Sequence, residues 1–242
     1  MSHWEWDAPA ALAPWILGLA ASTDEGEPPS VRVLPDGGAD LLCSAPAQGG
    51  AWQIDVFGPK RRALVVRDRD PMQKLAVRLR PGAAARWLGA PAHALADRAL
   101  PLESLRGGEA HELAERLAGA ASRAEQIGAM VGVLARRAAD LEPPPPLVEA
   151  ALSRTRASGG RLVTRTLARE LGTSERQLER AFREHVGLGP KRFARIVRLG
   201  AAHRALAGGA SQLEAALAAG YHDQAHLHRD ARALAGVAPS AL

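Results

Sequence analysis

Leu167-Ala168-Arg169-Glu170-Leu171-Gly172-Thr173-Ser174-Glu175-Arg176-Gln177-Leu178-Glu179-Arg180-Ala181-Phe182 carries the most informative pattern in the chain. Thr164 is placed to cap a short helix holding Leu167, Ala168 and Leu171, and Gly172 ends it, because glycine accepts the left-handed backbone of a helix stop. Thr173 makes the turn. Ser174 then starts a second helix, with Gln177 placed three residues on for a capping box. The inward side of that helix is Leu178, Ala181 and Phe182. Two short helices around a glycine turn have the helix-turn-helix layout.

The same order of signals returns downstream. Ser211 with Glu214 forms another capping box, and Leu213, Ala216 and Leu217 make an apolar face. Gly220 closes that helix 48 residues after Gly172, and Asp223 caps a partner helix in which Leu227 and Arg229 repeat Leu178 and Arg180. Between the units, Pro190 to Leu206 reads as one helix with proline at its first turn and Phe193, Ile196, Val197 and Ala201 on one face. Seventeen residues at 1.5 Å each give a strut of about 26 Å. Successive major-groove faces of a duplex lie about 34 Å apart, so the strut and the offset of each helix match adjacent grooves.

Upstream the chain reads differently. Val31 to Leu34, Leu41 to Ser44, Trp52 to Phe57, Ala63 to Arg67 and Lys74 to Arg80 are short runs rich in Val, Leu and Ile between Gly, Pro and Asp clusters, which is a strand signature. Pro35-Asp36-Gly37-Gly38 predicts a hairpin between the first two. Ala83 to Leu88, Glu109 to Ala118 and Arg123 to Ala139 are helical, the last two with apolar residues three and four apart. Four prolines, Pro143 to Pro146, predict a stiff tether and a boundary. The fold class is therefore α+β. A small N-terminal antiparallel sheet or barrel with helices, a cupin-like form among its options, occupies residues 1–142. An all-α domain with two helix-turn-helix units (164–185 and 211–235) joined by a long helix occupies 143–242.

Composition agrees with this division. Of 242 residues, 51 are alanine, which favours helix and buries little area, so the cores must be thin. A single cysteine, Cys43, excludes an internal disulfide and a four-cysteine metal site. The apolar stretch from Ala8 to Ala21 is broken by Pro9 and Pro14 and is too short to span a bilayer, and Glu5 and Asp7 stand where a basic leader would be. A cytoplasmic protein without membrane contact is expected. The net charge of +5 is uneven: 16 basic and 18 acidic residues precede Pro143, while 15 basic and 8 acidic follow Pro146. The first part is thus near −2 and the last near +7, a concentration that suits a phosphate backbone.

These residues resemble the DNA-binding domain of AraC/XylS-type transcriptional regulators. The resemblance rests on Leu167 to Gly172, Ser174 to Phe182, Gly187-Leu188-Gly189-Pro190, Gly220 to Leu227 and Gly236-Val237-Ala238-Pro239. The family usually carries aromatics where this chain has Leu227 and Ala231, and smaller side chains there should loosen the second unit. The N-terminal region resembles the sensor region of a poorly characterised group of such regulators, through Arg32 to Gly37, Phe57-Gly58-Pro59, Val77 to Gly89 and Asp97 to Leu102. The resemblance implies double-stranded DNA, a small-molecule effector and RNA polymerase as partners, a homodimer as an assembly, and no enzyme activity, cofactor or metal.

Candidate residues follow from chemistry. Arg holds guanine bidentately, Glu accepts from cytosine and Gln pairs with adenine. Arg176, Glu179 and Arg180 in the first unit, and Gln224, His228 and Arg229 in the second, are the candidate base readers. Arg165, Lys191, Arg192, Arg195 and Ser211, at helix starts or on the strut, are candidate phosphate contacts. His222, His226 and His228 invite a metal, but no ligand arrangement follows around them. In the N-terminal domain Trp52 and Trp87, with Asp55 and Arg78, could line an effector pocket. Two alternatives stay open: an N-terminal domain that only dimerises, and a redox or modification sensor that uses Cys43.

Overall fold

The computed structural model describes residues 2–23, 31–66 and 71–242. Strands β1 (Ser2–Asp7), β2 (Ile16–Thr23), β3 (Val31–Val33), β4 (Ala39–Pro46), β5 (Gln53–Phe57), β6 (Leu64–Val66) and β7 (Met72–Leu79) come first. Helices α1 (Ala84–Leu88) and α2 (Ala92–Leu95), strand β8 (Ala99–Pro101), and helices α3 (Glu103–Gly119) and α4 (Arg123–Ala139) follow. Then come α5 (Pro146–Ala157), α6 (Thr164–Glu170), α7 (Glu175–His185), α8 (Pro190–Ala207), α9 (Gln212–Ala218), α10 (Gln224–Ala235) and a 3₁₀ turn at Pro239–Ala241.

Six strands form an antiparallel sheet in the order β1-β2-β7-β4-β5-β8, and β3 pairs with β6 as a separate ribbon. The sheet is open, not a closed barrel. Alternation decides its two faces: Leu41, Cys43, Leu75, Val77 and Leu79 are buried, while Asp40, Leu42, Ala76 and Arg78 are half-buried on the other side. The buried face packs under α1, α3 and α4, with Trp87, Leu113, Leu117, Met130 and Leu134 completing one core. A second buried cluster gathers Val148, Leu152, Leu167, Leu178, Phe182, Phe193, Ile196, Tyr221, Leu227 and Leu234 from the C-terminal helices.

Several expectations need correction. Strands β1 and β2 carry weak signals, because Gly18, Ala20 and Ala21 lack the branched bulk that marks a strand. Pro35 to Gly38 is not a hairpin: β3 pairs with β6 and β4 with β5 and β7, so this turn passes the chain from ribbon to sheet. Of the run Ala63 to Arg67, residues 64–66 form β6 and Arg67 lies outside the described residues. Thr164 is the first helical residue of α6, and the cap position is Val163 with no side-chain cap bond. In α9 the inward side chains are Ala215 and Ala216, whereas Leu213 and Leu217 are exposed. The remaining cap assignments hold, with full capping boxes at Ser174/Gln177 and Ser211/Glu214.

The proline run does not hold the two cores apart. Pro146 is the first residue of α5, since its missing N–H costs nothing there, and α5 packs Val148 and Leu152 beneath the Pro81-Gly82 turn. A Cβ on Gly82 would meet Leu152 Cδ1 at 3.1 Å. At Gly37, φ is +83° and a Cβ would lie 2.7 Å from the Phe193 ring, so the turn after β3 sits directly on α8. Helices α1 and α2 rest against α7.

Candidate nucleic-acid interface

Helix α7 buries Leu178 and Phe182 and leaves Arg176, Gln177, Arg180 and Arg183 exposed. Phe182 meets Phe193 edge to face at 6.1 Å, which fixes the rotation of α7 on α8 and therefore the direction of its arginines. Glu179 is half-buried, and a Cβ on Gly189 would lie 3.0 Å from its Oε2, so its carboxylate lies over the turn into α8. The exposed side of α7 opens into a cleft of about 690 Å³. Pro91 and His93, around α2, form its opposite wall.

In the second unit, Asp223 caps α10 by accepting from the His226 amide at 2.6 Å. Gln224 and Arg229 are exposed and His228 is half-buried. Gln212 of α9 ties two of these together: its Oε1 accepts from Gln224 Nε2 at 2.8 Å and lies 2.8 Å from His228 Nε2. Leu227 and Ala231 are fully buried beside Leu234, so the residues that replace the family's aromatics still close the core. The strut α8 has 18 residues, about 27 Å at 1.5 Å per residue. Both recognition helices pack on it.

The candidate phosphate contacts fare differently. Arg165 and Lys191 are exposed. Ser211 is engaged as the α9 cap. Arg195 is occupied: its Nη2 and Nε donate to Asp230 Oδ1 at 2.7 and 3.1 Å, which staples α8 to α10. Arg192 points at the N-terminal domain, donating from Nη2 to Arg61 O at 3.3 Å. Arg195 is thus committed between two helices, and Arg192 is turned toward the N-terminal domain and away from the recognition helices.

The N-terminal candidates are not brought together. Trp52 and Trp87 belong to the packed core, Trp87 edge-on to Trp15 at 6.3 Å. Trp87 borders a void of about 30 Å³, too small for an effector. Asp55 and Arg78 sit at half-buried positions that alternate with core residues, on the side of the sheet away from these tryptophans. Arg78 instead lines a cavity of about 240 Å³ between that side and the β3–β6 ribbon, with Leu42, Phe57, Ala76, Val33 and Leu64. There Asp40 is held by Lys60 and Arg78; burial would raise its pKa, but the two cations keep the carboxyl below its usual value. Cys43 lies in the core, where burial, and then the Asp55 charge, push its thiol up to about 12. A thiol so placed is no nucleophile.

Two helix-turn-helix units carried on one strut define a DNA-binding transcription regulator. Residues 167–242 match a family model described as a helix-turn-helix domain, and residues 5–101 match a domain of unknown function (DUF6597). A probable AraC family transcriptional regulator from Rhodopseudomonas palustris CGA009 is 32% identical over 39% of this chain and 92% of its own, with a TM-score of 0.36. An AraC-type DNA-binding-domain regulator from Chromobacterium violaceum is 29% identical over 39% and 86%, TM-score 0.37. ToxT from Vibrio cholerae aligns over 91% of this chain and 97% of its own, at 9% identity and a TM-score of 0.48. No curated protein matches the chain. The chain belongs to the AraC family of transcriptional regulators.

Proposed function

We propose that residues 1–142 form a sensor that controls how residues 143–242 engage DNA, in response to a small molecule held in the cavity under the β3–β6 ribbon. One observation carries this reading: the ribbon that roofs the cavity also grips the second recognition helix. Arg32 Nη1, on β3, donates to Ala235 O at 2.8 Å, and the Ala63 amide, just before β6, donates to Leu234 O at 2.6 Å. Val31, Val33, Leu64 and Val66 of the same ribbon line the cavity. At the other end, α1 and α2 rest on the first recognition helix, with His93 across the cleft from Arg176 and Arg180. A molecule that moves the ribbon would therefore alter the hold on α10, and a shift in docking would change the fraction of chains able to bind DNA. No reaction is required, and the cytoplasm, where DNA lies, is the setting.

Arg176, Arg180 and Glu179 are assigned to base edges in one half-site, and Gln224, His228 and Arg229 to the next. Arg165 and Lys191 are assigned to the backbone. Selection from random duplexes should enrich two short elements about one helical turn apart. Arg180→Ala should then lose about 1–3 kcal/mol and relax one base pair, while a loss equal across all duplexes would move Arg180 to phosphate. A screen for compounds that raise the melting temperature, repeated on Leu42→Trp to fill the cavity, tests the sensor. Hits retained by Leu42→Trp would place the effector elsewhere.

A further inference from the structure

A second cleft, of about 500 Å³, lies where the sensor meets the first turn of α8. Its charged lining is Lys60, Arg61, Arg62 and Arg98 from the sensor, Arg192 from α8, and a single carboxylate, Asp97. Five positive charges against one leave +4; counting Asp40, which pairs with Lys60 from outside the lining, leaves +3. Asp97 is already committed, accepting from the Arg61 amide at 2.7 Å and facing Arg61 Nη1 at 3.3 Å. Among the described residues no carboxylate pairs with Arg62, Arg98 or Arg192. Arg98 reaches only Ala94 O, and Arg192 only Arg61 O, both at 3.3 Å. The Nε of Arg192 is buried with no acceptor. Burial, then the guanidiniums of Arg195 and Arg61, pull the pKa of Arg192 below its usual value.

Like charges gathered from both sides of an interface oppose that interface unless something neutralises them. Asp97 has φ +60°, the one non-glycine residue with positive φ among those described, a backbone that aspartate adopts readily and that goes with its hold on the Arg61 amide. Guanidinium forks match the oxygens of phosphate better than those of a halide, and three uncompensated forks call for more than one negative charge. Phe57 and Leu64 give one side of the cleft an apolar wall, so a phosphate can carry an organic group.

We propose that this cleft binds the phosphate of a small phosphorylated molecule, which acts as the missing counter-charge and latches the sensor to α8. The site goes beyond the ribbon cavity, because its lining spans both domains. The shared chemistry with a DNA backbone phosphate makes the duplex the competing source.

The test uses the full chain and inorganic pyrophosphate as the probe, at ionic strength held constant with sodium chloride. Calorimetry and thermal melting should show saturable one-to-one binding that raises the melting temperature. Arg62→Gln, whose side chain is exposed, and Arg192→Gln should each weaken it at least tenfold, while Arg116→Gln, on α3 and remote from the cleft, should not. Absence of saturable binding, or equal weakening by Arg116→Gln, overturns the proposal. Binding to a random-sequence duplex is measured in parallel as a function of salt. An unchanged salt slope in Arg62→Gln and Arg98→Gln supports a free phosphate ligand; a slope reduced by about one in each would assign the cluster to the DNA backbone and overturn it.

Discussion

Gly187 and Gly172 offer a matched pair of substitutions that isolates the contact between the N-terminal domain and the first recognition helix. Both have a left-handed backbone, φ +80° and +64°. Around Gly172 nothing lies within 4 Å of an added Cβ, so Gly172→Ala meets only the left-handed penalty, about 1–2 kcal/mol. At Gly187 the added Cβ would lie 2.8 Å from Ala92 O and 3.0 Å from Ala92 C, both backbone atoms of α2. No rotamer relieves that overlap. Forcing α2 away adds an overpacking cost of about 1–3 kcal/mol, for a total of about 2–5 kcal/mol. Urea unfolding gives the stability difference, and amide exchange at residues 92–95 reports whether α2 has lifted. The expected result is a larger loss for Gly187→Ala with faster exchange in α2, against unchanged α2 exchange in Gly172→Ala. Equal losses and equal exchange in the two variants would refute the docking of α2 on the end of α7.

Asp230→Asn should cost about 1.5–3 kcal/mol in urea unfolding, because it weakens the charge-assisted bonds from Arg195 that join α8 to α10. No loss would return Arg195 to the list of phosphate contacts. Cys43, with its thiol at about 12, should resist a thiol-specific alkylating agent at pH 8 in the native chain and react only after unfolding; prompt native labelling would revive the thiol-sensor alternative. His185, at the end of α7, has its pKa pulled down from 6.5, first by burial and further by Arg86 of α1, with Glu184 opposing. The neutral ring is thus the folded form, and its contribution is complete above pH 6.5 and lost as pH falls below it. Exchange in α1 and α2 should quicken over that range, and His185→Gln should flatten the dependence.

The C-terminal half was legible because its signals are local. Ser174 with Gln177, Ser211 with Glu214, and Asp223 each fix a helix start within four residues, and Gly172 and Gly220 fix the stops. What failed there failed on facing. In the seven-residue helix α9, Leu213 and Leu217 satisfied an apolar count, but close approach to α8 and α10 selected the small Ala215 and Ala216 instead. The sheet was less legible because its pairing is long-range. The turn at Pro35 to Gly38 has hairpin chemistry, yet β4 finds better partners in β5 and β7. The candidate pocket of Trp52, Asp55, Arg78 and Trp87 does not assemble for the same reason. Trp52, Ile54 and Val56 alternate into one face, and nothing in the sequence says that this face meets α3 and α4, while Asp40 and Arg78 face the ribbon.

The charge division takes on a different meaning once Arg192 and Arg195 are located. A surplus of +7 after Pro146 reads as a surface for phosphate, but it is not spent uniformly on DNA. Arg195 is used between helices, and Arg192 faces four more cations from the N-terminal domain, which is acidic on balance. The N-terminal domain meets α8 there with Lys60, Arg61, Arg62 and Arg98 against one carboxylate, Asp97. Meanwhile the Ala63 amide donating to Leu234 O, the Arg32 guanidinium donating to Ala235 O, and the close fit at Gly187 hold one recognition helix at each end of the strut. Docking thus rests at two points on hydrogen bonds to helix carbonyls and on a close backbone fit, and like charges gather between them. Under the phosphate-site proposal, an anion in the middle shifts docking only by as much as its affinity differs between the docked and undocked forms.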